Sequence, residues 1–159
     1  MAIHISAHSL IGQQSPFAPG VASDGTTFHM VFRANNPSGD LLYATSTDGL
    51  NWTRQPDVGE QSQGAAAVAI LDGRVVAAYI ANNPSNQLIV SVFDPVSGQW
   101  GHNTDSGESS GGGVSAVAAN NKVAVYYPSN NPAKDLLEVA ISFGAAPLLV
   151  GAGAQKKNY

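Results

Sequence analysis

One tripeptide returns three times along this chain, as Asn35-Asn36-Pro37, Asn82-Asn83-Pro84 and Asn130-Asn131-Pro132. The copies stand 47 and 48 residues apart, so the folding unit is a repeat, and repeats of this size bury their apolar faces by packing on one another. Other marks keep the same register. Upstream of each copy lies a pair suited to positive φ, namely Asp24-Gly25, Asp72-Gly73 and Asn120-Asn121, as a tight hairpin turn requires. Downstream lies an apolar stretch, at 41–46, 88–93 and 136–141, followed in the first two copies by Trp52 and Trp100. A polar cluster, Gly12-Gln13-Gln14-Ser15, Gly59-Glu60-Gln61-Ser62 and Gly107-Glu108-Ser109-Ser110, recurs at the same intervals.

Within the second repeat, Ala65 to Leu71, Val75 to Ala81, Leu88 to Phe93 and Gln99 to Asn103 read as four short antiparallel strands separated by Gly, Pro, Asn and Asp turns. No stretch sustains a 3.6-residue apolar period, so the chain is all-β. The first strand of each repeat, at 18–22, 64–69 and 113–119, is crowded with small side chains, as suits strands converging on the axis of a radial array. Bulk appears later: Phe32, Tyr79 and Tyr127 share one repeat position, and Trp52 and Trp100 share another. Size grading of this kind predicts three four-stranded propeller blades, at 15–58, 59–106 and 107–159, with 3–14 as an outer strand that latches a blade.

The segment Ser46-Thr47-Asp48-Gly49-Leu50-Asn51-Trp52 resembles a shortened Asp-box, the turn between the third and fourth strands of blades in sialidase-like propellers and some propeller lectins. In such a turn the Asp binds backbone N–H groups, Gly takes positive φ and Trp packs beneath the hairpin. The second copy, Asp94 to Trp100, keeps part of it, and the third, from 143 to 148, has lost both Asp and Trp. The resemblance implies a propeller of the lectin type.

Closed propellers have four to eight blades, so three imply completion by a second copy: a six-bladed ring formed by a homodimer, with 147–151 as a competing fourth strand for the last blade. The alternatives are a β-trefoil monomer and a β-prism.

Seven basic against eleven acidic residues leave no basic stripe for nucleic acid. No apolar run is long enough for membrane insertion, which predicts a soluble chain, cytoplasmic or secreted without a recognisable signal peptide. In a propeller the turns joining strands two and three share a face with the blade-to-blade connections. That brings Asn36, Asn83 and Asn131 together with Glu60, Ser62, Glu108 and Ser110, near Tyr79, Tyr127, Trp52 and Trp100. Amides, hydroxyls and aromatic rings can hold sugar hydroxyls and stack on pyranose faces. The expectation is a lectin with repeated, multivalent glycan sites, needing no cofactor and no metal. Each residue also has a structural reading: Asn-Pro as turn chemistry, Trp as blade packing, Ser as a backbone latch. The rival functions are a protein-interaction scaffold and a glycoside hydrolase using Glu60 and Glu108. Catalysis is disfavoured because Arg33, Arg54 and Arg74 fall at non-equivalent places and cannot form a sialidase-like triad. His4, His8, His29 and His102 lack ligand spacing.

Overall fold

A computed structural model describes residues 3, 9–101 and 103–144. Within them the chain is all strand and turn. Blade 1 is the sheet β1 (Gly20–Ser23), β2 (Phe28–Arg33), β3 (Leu41–Ser46) and β4 (Thr53–Arg54), hydrogen-bonded in that order. Blade 2 is β5 (Ala67–Leu71), β6 (Arg74–Ile80), β7 (Gln87–Asp94) and β8 (Gln99–Trp100), with β9 (Thr104–Ser109) also paired to β7. Blade 3 is β10 (Ser115–Ala119), β11 (Lys122–Pro128) and β12 (Leu136–Ile141). All pairings are antiparallel. Three separate sheets replace the shared barrel that a trefoil would build. The competing strand at 147–151 and most of the N-terminal latch lie outside the described residues, while 9–14 carry no strand.

The middle strand shows why the blades stack. Successive side chains of a strand point to opposite faces, and both faces of β6 are apolar. Val75, Ala77 and Tyr79 pack with Val31, Leu41 and Tyr43 of blade 1, whereas Val76, Ala78 and Ile80 pack with Val123, Val125 and Tyr127 of blade 3. The strand is therefore a continuous apolar run without alternation, as a sheet covered on both sides demands. On the other face of blade 1, Met30, Phe32 and Ala44 are covered by Ile11, Leu42 and Trp52.

The small-residue strands converge as their composition predicts. Gly20, Ala66, Val68, Val114 and Ala116 line one axial hollow. A Cβ on Gly20 would sit 2.5 Å from the Ala66 carbonyl oxygen, so this close approach of backbones excludes any larger residue.

Hairpin chemistry follows the sequence with one difference. Asp72 and Gly73, and Asn120 and Asn121, all take positive φ, from 51° to 71°. In the first copy the turn is longer. Asp24 Oδ1 accepts the Thr26 and Thr27 N–H groups at 2.8 and 2.7 Å, leaving only Gly25 at positive φ, 98°.

The turn from β3 to β4 has the chemistry expected of it. Asp48 Oδ1 accepts the Leu50 and Asn51 N–H groups, both at 2.8 Å, Gly49 has φ 73°, and the Trp52 indole N–H donates to the Gly49 carbonyl at 3.1 Å. Backbone N–H donors hold the Asp24 and Asp48 carboxyls well below the usual range. A carboxyl depressed in the folded state stabilises above its unfolded value, near 3.9 for Asp, and that stability is lost as pH falls through the lower folded value. Unfolding followed by circular dichroism should show the protein weakening below about pH 4, with a shallower decline in Asp48→Ala.

The fourth strand departs from expectation. A single strand over 99–103 is replaced by two pieces, β8 and β9, with the Gly101 N–H donating to the Val92 carbonyl at 2.6 Å between them. As a result Gly107, Glu108 and Ser109 lie inside β9 and not in a blade-to-blade loop. Blade 1 takes an equivalent path without regular pairing. Gln55 and Val58 N–H groups bond the Tyr43 and Leu41 carbonyls, and the Leu41 N–H bonds the Glu60 carbonyl. This path carries Glu60 to the junction of blades 1 and 2.

Candidate functional site

The Asn-Asn-Pro turns use their second asparagine internally. Asn36 Oδ1 accepts the Gly39 N–H and its Nδ2 donates to Asp40, each at 2.8 Å. Asn83 repeats this with the Ser85 N–H and the Gln87 side chain, and Asn131 with the Lys134 N–H and Asp135. Both ends of each amide are thus engaged in closing its own turn. An acceptor four residues after that asparagine, at Asp40, Gln87 and Asp135, was the available sequence signal.

The other proposed contacts are also engaged within the fold. Tyr79 and Tyr127 are buried, with no face open to a sugar. Ser62 and Ser110 are buried latches: Ser62 Oγ donates to the Ile80 or Gly64 carbonyl and accepts the Gly64 N–H, and Ser110 does the same with Pro128 and Gly112. Trp52 packs under its hairpin. The Trp100 indole N–H donates to the Pro56 carbonyl at 3.1 Å, and its ring meets Tyr43 edge-on at 5.2 Å. Glu108 is exposed on β9, beside Tyr127.

Glu60 stands differently. A polar cleft of about 450 Å³ opens between blades 1 and 2, lined by Asp40, Asp57, Glu60, Gln61, Asn82 and Asn83 among others. Three carboxylates share it. Asp57 is paired with Arg54. Asp40 accepts from Ser38 at 2.6 Å, Asn36 at 2.8 Å and Gln61 at 3.2 Å. Those hydrogen bonds, Ser38's foremost, lower its pKa and hold it as the anion. Glu60 accepts one side-chain hydrogen bond, from Asn103 Nδ2 to Oε1, and has no cationic partner among the described residues. The second junction is not equivalent: Gln87 stands where the first has Asp40, and its Nε2 donates to Asp105 at 2.6 Å.

No metal-ligating group of three or more acidic or histidine side chains occurs among the described residues. No helix among them is long and apolar enough to cross a membrane.

Neither a protein-family model nor a curated protein sequence matches the chain. Solved structures do share its fold. It is similar to an exo-beta-1,3-galactanase from Phanerochaete chrysosporium in complex with beta-1,3-galactotriose. There the identity is 16%, the match covers 74% of this chain and 33% of that chain, and the TM-score is 0.52. It is also similar to the Bacteroides ovatus protein named Xyloglucan PUL GH43B. In that case the identity is again 16%, coverage is 78% of this chain and 26% of that chain, and the TM-score is 0.54. The chain therefore spans a third or less of either protein. The lectin reading is corrected on both counts: its aromatic, amide and hydroxyl contacts are engaged within the fold, and the proteins sharing that fold are glycoside hydrolases. At this identity the likeness establishes architecture, and that architecture is a β-propeller of the kind found in carbohydrate-processing proteins.

Proposed function

We propose that this chain takes part in glycoside hydrolysis, with the cleft between blades 1 and 2 as the reacting site and Glu60 as the group that exchanges a proton with the glycosidic oxygen. The observation that carries this reading is the unequal commitment of the three cleft carboxylates. Asp57 is engaged by Arg54 and Asp40 by three side-chain donors, whereas Glu60 accepts one side-chain hydrogen bond and has no cationic partner among the described residues, which leaves its second oxygen free to meet substrate. Cleavage of a glycoside needs a carboxyl to protonate the departing oxygen and an anion to oppose the positive charge at the anomeric carbon. Glu60 and Asp40 supply these two roles. Glu60 gives its proton to the departing oxygen as that bond to the anomeric carbon breaks; water adds to the carbon, one of its protons staying on the new anomeric hydroxyl and the other restoring Glu60. Gln61 and Asn82 line the same cleft, and their amide oxygens, which accept no hydrogen bond among the described residues, can accept from sugar hydroxyls. β-1,3-Galactans and xyloglucan are the substrates to try first, after the two proteins of like fold. Hydrolysis of chromogenic glycosides that is lost in Glu60→Gln supports the reading, and equal rates overturn it.

Among the described residues β5 packs beside both β1 and β10, which do not pack comparably on each other. Completion by a second copy into a six-bladed ring remains our proposal for its closure. Light scattering at about 33 kDa, twice the 16.3 kDa chain, supports it; the mass of a single chain contradicts it.

A further inference from the structure

A chain of polar groups runs from the interior of blade 2 to the edge of the cleft. The Tyr79 and Ser91 hydroxyls are 3.0 Å apart, and neither residue has exposed surface. Both reach Asn103 Oδ1, Tyr79 at 3.0 Å and Ser91 in a closer contact. The other end of that amide, Nδ2, donates to Glu60 Oε1. Buried hydroxyls are costly unless bonded, so Tyr79 and Ser91 fix where the amide sits. An ionised Glu60 then fixes which way it points, since the reverse orientation would set amide oxygen against carboxylate oxygen.

The repeat supports a purpose for this arrangement. At the next junction Tyr127 holds the place of Tyr79, and burial, with the neighbouring Glu108 adding to it, raises its phenol pKa. In the first copy the tyrosine is Phe32 and the glutamate is Gln13. Hydroxyl and glutamate are thus present together or absent together. Burial also raises the Tyr79 pKa, with the Glu60 charge adding to it.

We propose that Asn103 is a positioning residue for Glu60, anchored by Tyr79 and Ser91, which leaves Glu60 Oε2 as the oxygen that meets substrate. This rests on the reading of Glu60 as the proton-exchanging group. Asn103→Leu keeps similar bulk and removes both bonds. It should lower kcat about tenfold or more, as loss of a hydrogen bond to a charged group does, with KM changed by less than about threefold because the amides lining the cleft remain. Tyr79→Phe keeps the ring in its buried place and should lower kcat severalfold, which covers the case in which Asn103→Leu fails to fold. The second readout does not depend on activity. In the wild-type chain, the Asn103 side-chain amide signals in NMR should shift with the titration of the Glu60 carboxyl, and this response should vanish in Glu60→Gln. Unchanged kcat in both variants, or an amide that ignores Glu60, overturns the proposal. A chain that hydrolyses no glycoside yet shows the coupled NMR response refutes the functional reading and leaves the positioning of Glu60 by Asn103 standing.

Discussion

Glu60→Gln is expected to reduce glycoside hydrolysis by about 10²–10⁴-fold, the usual contribution of a general acid or base. Gln matches Glu in shape, and its side-chain oxygen can still accept the Asn103 amide, so the cleft should keep its form and KM should stay close to wild type. The loss should therefore fall on kcat, the signature of an interaction needed in the transition state more than in the ground state. Steady-state kinetics on a chromogenic glycoside gives the split directly. A rise in KM with kcat intact would make Glu60 a binding group and remove its assigned role. Asp40 sets a useful contrast. Its three side-chain hydrogen bonds keep it ionised, so it can oppose positive charge but cannot supply a proton near neutral pH.

The largest stability effect is expected at the same blade junction. Tyr43 is buried between blades 1 and 2, 5.1 Å from the Phe93 ring and 5.2 Å from Trp100. Its hydroxyl bonds His29 Nδ1 at 2.7 Å, and His29 Nε2 in turn lies 3.3 Å from Asp24. Burial, helped by the Asp24 charge, pushes the phenol pKa up to about 12. Tyr43→Ala should cost about 3–5 kcal/mol, the range for removing a buried aromatic ring, measured by urea unfolding. Tyr43→Phe removes only the hydroxyl and should cost about 1 kcal/mol. Equal losses in the two variants would mean that the hydrogen bond to His29 within blade 1, and not ring packing across the junction, is what Tyr43 contributes.

Local chemistry made much of the fold legible. The stretches 41–46 and 136–141 are strands as read, because each is bounded by a turn whose residues accept positive φ or cap their own backbone. The turn at Asp48 was legible for the same reason. The broken fourth strand was not. Nothing near Gly101 announces that its N–H will reach back to Val92, or that the register of β9 shifts between Gln87 and Ile89. Tyr79 was misread as a sugar platform because a strand buried on both faces has no alternation to mark which side is covered, and Tyr127 because its face of β11 packs on blade 2 while Tyr126 is left exposed. Glu60 stood out in the repeat, but its partner did not. Asn103 lies 43 residues further on and meets Glu60 only because blade 2's fourth strand folds back beside blade 1. Asp40 was overlooked because the acceptor position is shared with Gln87 and Asp135, which reads as turn chemistry in all three copies and is so in part.

The account turns on whether the cleft between blades 1 and 2 cleaves glycosidic bonds. The most direct measurement is release of new reducing ends from β-1,3-galactan and xyloglucan by the purified wild-type chain, beside Glu60→Gln. The account predicts release by the wild type and near-background release by the variant. Equal release by both, or none from either polymer or from chromogenic glycosides, would contradict it.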